Sequence, residues 1–523
     1  MRDFHLPGRS ATFATNGMCA TSHPLAAKVA LDILEAGGNA VDAAIAGAVL
    51  LGICEPQMTG IGGDCFVLLD APGQDNVIAL NGSGRAPQAL NADDLRAKGL
   101  TTMPLNQPEA VTIPGAIDAF CRLSKDWGTL DLAQVFAPAI HYAEAGVPVA
   151  PRVAFDWAIA QDALKGTARD SYLLNGKAPK IGQIFRSPMQ ADVLRKIAAE
   201  GRNGFYQGEI AEDMVTSLQA MGGAHTLDDF DQTSCQYTDP ISGHYGKFEL
   251  VEHPPNGQGA TAILLANILS HFDIADMAPD GAMRAHIEAE ASKLAYDARN
   301  RFIADPTEKL DHMLSSETAK ALAGLIDTKR AMPSANALSE AVHKDTVYIT
   351  VVDKDRMSVS LIYSIFHSFG AGLASNKYGI LFQNRGAGFT LEKNHPNEAG
   401  GGKRPMHTII PGILRQNDKT IMPFGVMGGA YQPNGHARFV SNLTDFNMDL
   451  QTAIDAPRSF SDAGDMKVER GYAPEVRQQL ADMGHNVSIP EVAIGGAQAI
   501  LIREDGVLEG ASDARKDGCA LGY

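Results

Sequence analysis

The sequence is short of several things, and each shortage removes a class of protein. Six cysteines in 523 residues (Cys19, Cys54, Cys65, Cys121, Cys235 and Cys519) form no CxxC pair and follow no regular spacing. That pattern predicts free, mostly buried thiols and excludes a disulfide framework. Basic charge is in deficit: 44 Lys and Arg against 61 Asp and Glu leave a net charge of −17. Nucleic-acid and anionic-membrane partners need the opposite sign, because Lys and Arg must displace counterions, so neither is expected. Long apolar runs are also missing. The longest uncharged one, Ala43 to Cys54, falls well short of the ~20 residues that span a bilayer. The first residues, Met1 to Pro7, contain no apolar core of a secretory signal, and the expected compartment is the cytoplasm. No repeat or low-complexity linker marks a boundary, although length alone predicts two to four domains.

What is present reads as a mixed α/β chain. Thr21-Ser22-His23-Pro24 opens a helix that carries Leu25, Val29, Ile33 and Leu34 at helical spacing and stops at Gly37-Gly38. Asn39 caps a second helix, Ala40 to about Cys54, apolar nearly all round and therefore buried. Gly60-Ile61-Gly62-Gly63-Asp64 then leads into a strand, Cys65 to Leu69, with Val77 to Leu80 as its partner. Residues 115–330 read as mostly helical, with a short strand at Phe248–Val251. From Thr346 the pattern changes to a hairpin: Thr346 to Val352 outward, Asp353–Arg356 turning, Met357 to Phe366 returning.

Familiar active-site motifs fail. Gly400-Gly401-Gly402-Lys403-Arg404-Pro405 has arginine where a phosphate loop needs Ser or Thr, and proline where it needs an amide hydrogen. The fifteen histidines form no HExxH or HxH pair, so no metal site is expected. What remains is a constellation of Asp345-Thr346 at the start of the hairpin, Ser364 on its return strand, and Gly428-Gly429 after the strand-like Phe424–Met427.

The constellation gains meaning from a resemblance that covers nearly the whole chain. Gly37–Leu69 ("GGNAVDAAIAG…PQMTGIGGDCFVLL"), Ala137–Val149, Asp345–Asp355 ("DTVYITVVDKD"), Lys403–Pro411 ("KRPMHTIIP") and Gly510–Tyr523 occur in the order found in the gamma-glutamyltranspeptidase family. The chain is similar to this family of N-terminal-nucleophile hydrolases. The resemblance implies a four-layer αββα sandwich built by both halves of the chain, and a proenzyme cut before Thr346. The products would be a large subunit 1–345 and a small subunit 346–523, making one intertwined structural domain. A homodimer of such processed heterodimers is the assembly it suggests.

The cut has a chemical purpose. Threonine hydroxyl is a poor nucleophile near neutrality, and cleaving its peptide bond frees an α-amine of pKa about 7.7–8 that can act as its general base. By resemblance Ser364 supports the nucleophile by a hydrogen bond, and Gly428 and Gly429 supply the oxyanion hole. No cofactor or metal is implied. The partners are a small amide substrate and water or an amine as acceptor.

The substrate-binding positions depart from the family. Arg385 and Gly388 replace a Gln and an Asp that hold a γ-glutamyl ammonium, Phe366 replaces an Asn, and His407-Thr408 replace paired serines. Arg85 lies two places from the expected carboxylate clamp, and Arg515 matches an arginine near the active site that would either contact substrate or only brace the small subunit. Exchanging a carboxylate for an arginine predicts a pocket for an acyl group ending in carboxylate, of γ-glutamyl-like, glutaryl or oxamate type, without a strict α-amino requirement. The alternatives are a strict γ-glutamyl transferase and, from another class, an inactive and unprocessed binding module.

Overall fold

The computed structural model describes residues 5, 8–332, 346–462 and 464–523. Two seven-stranded, antiparallel-paired sheets lie at its centre. One runs in the order Cys519–Gly522, Met18–Thr21, Val347–Val352, Ser358–Ser364, Asp64–Asp70, Ile78–Gly82, Gln236–Thr238. The other runs Thr12–Ala14, Leu508–Ser512, Gly496–Ile502, Lys419–Met427, Gly412–Gln416, Phe248–Glu252, Ile241–Tyr245. Each sheet takes strands from both sides of Thr346, so the separate domains expected from length are not what forms.

Period-two alternation decides which layer each side chain enters. In Val347–Val352 the odd residues Val347, Ile349 and Val351 join the large apolar cluster under the helices. Tyr348 points the other way, into a cluster with Phe66, Ile362, Ile409 and Met427 that joins the two sheets. The helix Ala40–Cys54 covers the first sheet. Asn39 and Asp42 close its N-terminus as a reciprocal capping box, and of its fifteen residues only Gly52 is not buried. Gly259–Leu269, Ala282–Phe302 and Gln432–Thr444 cover the second sheet. The result is the helix–sheet–sheet–helix sandwich implied by the resemblance. All six cysteines are free, and no helix among the described residues is long and apolar enough to cross a membrane.

The elements read from the sequence are found with shifts of one or two residues: Pro24–Glu35, Ala40–Cys54, Asp64–Asp70 and Ile78–Gly82. The region read as mostly helical also holds the strands Gln236–Thr238 and Ile241–Tyr245. Asp345, the upstream half of the expected cut, lies outside the described residues.

Candidate active site

The hairpin sets the geometry. Its register pairs Val347 with Tyr363 and Tyr348 with Ile362, which continues to Thr346 opposite Ser364. Both are buried on the face between the sheets. The Thr346 hydroxyl contacts Ser364 Oγ at 3.4 Å. Ser364 Oγ also accepts the Phe366 amide at 2.9 Å and an Arg385 Nη2 hydrogen at 3.3 Å.

Arg385 is the hub of this cluster. It is fully buried, donates through Nη1 to Thr408 Oγ1 at 3.1 Å, and lies 4.1 Å from the centre of the Phe366 ring. Its buried Nε–H has no hydrogen-bond partner among the described residues. Burial lowers the guanidinium from its ordinary range to about 9, with the Asp64 carboxylate pulling the other way, and it remains a cation at neutral pH. Phe366 is held at φ 80°, a left-handed conformation rare for a bulky residue. That backbone lets the Phe366 amide reach Ser364 while its ring covers the guanidinium.

Asp64 is the counter-charge that the sequence analysis did not single out. Its Oδ1 accepts the amides of Gly84 (2.9 Å) and Gly115 (3.2 Å) and the Gln383 side chain (2.8 Å), and Oδ2 lies 3.2 Å from His407 Nε2. His407 Nδ1 accepts the Ile409 amide at 3.4 Å, which assigns the proton to Nε2 and the hydrogen bond to Asp64. Burial, Arg385 and His253 hold His407 well below its usual pKa, so the ring is neutral. Burial raises Asp64 to about 6, while Arg385, Gln383 and the two amides pull it down. The sequence signal was the glycine run before Asp64. A Cβ on Gly63 would sit 2.4 Å from the Ser364 carbonyl, so only glycine lets this loop press against the return strand.

The glycine pair closes the strand Lys419–Met427. Gly428 has φ 122° and Gly429 φ 57°, conformations that favour glycine. Gln258 joins the pair to the cluster: its Nε2 donates to the carbonyls of Thr408 (2.6 Å) and Gly429 (3.0 Å), and its Oε1 accepts from Arg299 at 3.0 Å. Asn256, also passed over in the sequence, ties Ser83 to the Pro405 carbonyl and receives Asn81. The structure thus connects Thr346, Ser364, Phe366, Arg385 and Thr408 directly, and Gly428-Gly429 through Gln258.

Three more of the expected substrate-binding residues are engaged within the protein. Both ring nitrogens of His407 are used, one on Asp64 and one on a backbone amide. Arg515 pairs with Glu469 (2.6 Å) and Asp513 (3.2 Å) and donates to the carbonyls of Ile454, Asp455 and Ala456, a brace that engages every N–H it has. Arg85 is half-buried and reaches Asp305 (3.1 Å) and the Gly402 carbonyl (2.9 Å).

Comparison with known proteins follows the same lines. The sequence profile of the gamma-glutamyltranspeptidase family matches residues 26–523. A glutathione hydrolase-like proenzyme of Bacillus subtilis, YwrD, is 34% identical over 97% of this chain and 98% of its own length. The oxamate amidohydrolase proenzyme of Klebsiella pneumoniae is 33% identical over 98% of this chain and all of its own. Among solved structures, cephalosporin acylase from Bacillus halodurans superposes with a TM-score of 0.93 at 37% identity, covering 100% of this chain and 99% of that one.

Proposed function

The chain belongs to the gamma-glutamyltranspeptidase family of N-terminal-nucleophile hydrolases, and we propose that within it this protein is an autoprocessing amidohydrolase for small acyl donors that end in a carboxylate. Cleavage before Thr346 frees the α-amine, which takes the Thr346 hydroxyl proton as Oγ1 attacks the amide carbonyl. Ser364 Oγ, which receives the Thr346 hydroxyl as well as the Phe366 amide and Arg385, holds Oγ1 in position for the attack. The tetrahedral oxyanion is met by the Gly428-Gly429 backbone. The leaving amine departs protonated, and water or another amine then resolves the acyl-Thr346 ester.

Arg385 carries the substrate reading. It is a buried cation beside the nucleophile's supporting hydroxyl, with one donor unpaired among the described residues, where an ammonium would be repelled and a carboxylate could be bound. The relatives' printed names, which include an oxamate amidohydrolase and a cephalosporin acylase, support the same direction. Comparing glutaryl-p-nitroanilide, oxamate and γ-glutamyl-p-nitroanilide tests it. Turnover of either of the first two above the third supports the proposal, and strong turnover of γ-glutamyl-p-nitroanilide alone overturns it.

Two further results are expected. A methyl at Gly428 would meet Gly495 Cα at 3.0 Å and sit at φ 122°, so Gly428→Ala should cut kcat about 10²–10³-fold with KM little changed. An equal fall for all donors in steady-state assays would fit an oxyanion role, and a change confined to KM would not.

The second result concerns pH. Asp64, raised to about 6 by burial, is ionised above that pH and neutral below it. Protonation removes the charge that offsets Arg385, so the KM of a carboxylate donor should fall about three- to tenfold between pH 8 and 5.5. Over the same range kcat falls as the Thr346 amine protonates. Asp64→Asn should give the low KM throughout, and an unaltered KM profile would count against the charge coupling. The stability sign is opposite to the usual carboxylate. A pKa raised above the unfolded ~3.9 stabilises at acid pH, and that contribution is lost as pH rises from about 4 to 6.

A further inference from the structure

A second cluster of polar side chains lies outside this site and takes no part in its chemistry. His286 and Glu290 sit one turn apart on the same face of the helix Ala282–Phe302. His485 faces them from the turn after Pro474–Asp482, where its amide caps the Leu480 carbonyl at 3.1 Å. His286 and Glu290 are fully buried and His485 is 7% exposed. One ligand atom from each of the three lies within 4.8 Å of the other two.

The hydrogen bonds around the cluster fix its lone pairs. His286 Nε2 is 2.8 Å from the Asp327 carbonyl, which can only accept, so Nε2 carries the proton and Nδ1 presents a bare lone pair. That lone pair accepts the Nε2 proton of His485, 2.8 Å away; when an ion takes the proton's place, His485 becomes the Nδ1–H tautomer and Nε2 is freed as a ligand. Glu290 is oriented by the Met332 amide on Oε2 (2.7 Å) and by Lys293 on Oε1 (2.6 Å), and each oxygen keeps a second lone pair. An imidazole anchored through its far N–H to a backbone carbonyl, beside a hydrogen-bonded carboxylate, is the arrangement that orients ligands around a metal ion.

We propose that His286, Glu290 and His485 form a binding site for one divalent transition-metal ion, with zinc the best match to two neutral imidazoles and a carboxylate. Tetrahedral bonds of about 2.0–2.1 Å place neighbouring ligand atoms about 3.3–3.5 Å apart, so the two imidazoles separate by roughly half an ångström to admit the ion. The fourth position takes water. Lys293, whose charge is felt at His485, stays paired with Glu290 Oε1 at 2.6 Å and donates to the Met332 carbonyl at 3.1 Å, which leaves Glu290 Oε2 as the oxygen for the ion.

The position suggests what the ion would do. His286 and Glu290 precede Thr346 in the chain and His485 follows it. The cluster also grips Asp327 and Met332, and Ala331 donates to the Met483 carbonyl at 2.8 Å. An ion here would staple the two halves of the chain near the end of the upstream one. That stapling role rests on the proposed cut before Thr346, whereas the site itself does not.

The test uses the purified full-length protein and its Thr346→Ala variant, so that loss of processing cannot be mistaken for loss of metal. The expected result is about one zinc per chain in both by elemental analysis. Stripping with a chelator and adding back ZnCl2 should raise Tm by about 2–4 °C. His485→Gln and Glu290→Gln, each checked for cooperative unfolding, should abolish both the stoichiometry and the shift. Co2+ added to the stripped unmutated protein should give the visible bands of a four-coordinate ion, a readout that needs no variant to fold. Substoichiometric zinc that His485→Gln leaves unaltered, or a Tm indifferent to zinc together with a six-coordinate Co2+ spectrum, would overturn the site and leave a histidine pair joined by a hydrogen bond.

Discussion

Thr346→Ala should run as a single 523-residue chain on a denaturing gel, while the unmutated protein should resolve into two fragments, the smaller beginning at Thr346. This is the largest effect expected, because one hydroxyl serves twice. In the proposed mechanism it attacks the preceding peptide carbonyl during maturation and the substrate carbonyl afterwards. Losing it removes the nucleophile and, by blocking the cut, the α-amine that would act as base. Turnover should therefore fall by about 10⁴-fold or more, as when residues that act as a unit are lost together. Thr346→Ser separates the steps. It keeps the hydroxyl opposite Ser364 but loses the β-branch that restricts χ1, so it should mature slowly and turn over at a reduced rate. Amino-terminal sequencing of the small fragment checks the position. Maturation of Thr346→Ala would show that another group is the nucleophile, and a persistent single chain in the unmutated protein would favour the inactive binding module.

The parts of this site that were legible in the sequence are those carried by local pattern. The hairpin around Thr346 announced itself through β-branched alternation and the Asp353–Arg356 turn, and its register then placed Ser364 without further information. The strands that complete the sheets were silent. Gly496–Ile502, Leu508–Ser512 and Cys519–Gly522 are rich in glycine and alanine, and what holds them is pairing with distant partners such as Met18–Thr21. Asp64 shows the same limit. One aspartate after a glycine run says little until folding brings Gly84, Gly115, Gln383 and His407 to it. Arginines were hardest of all, because a guanidinium reaches far and its role depends on what meets it. Arg385 came to lie beside Ser364, whereas Arg515, matched to the site by sequence alone, is used up on Glu469, Asp513 and three carbonyls.

The second large effect concerns Arg385. Arg385→Gln should lower kcat/KM for glutaryl-p-nitroanilide by about 10²–10³-fold, the scale on which losing a charge-assisted pair in a buried site is felt. Part of the loss should appear in kcat, since Arg385 also donates to Ser364 and Thr408. Arg385→Lys keeps the charge but not the planar fork and should recover only part of the KM. Neither variant should gain γ-glutamyl activity, and the reason lies at Gly388, where the family's aspartate would stand. A Cβ there would sit 2.5 Å from the Met406 carbonyl, and the Gly388 carbonyl is already fixed by Asn397 at 2.6 Å. The backbone leaves no room for a side chain at Gly388, so adding Gly388→Asp to Arg385→Gln should cost soluble protein instead of switching specificity. Efficient γ-glutamyl transfer by Arg385→Gln alone, in the same p-nitroanilide assay, would mean that the cation and not the closed backbone sets the preference.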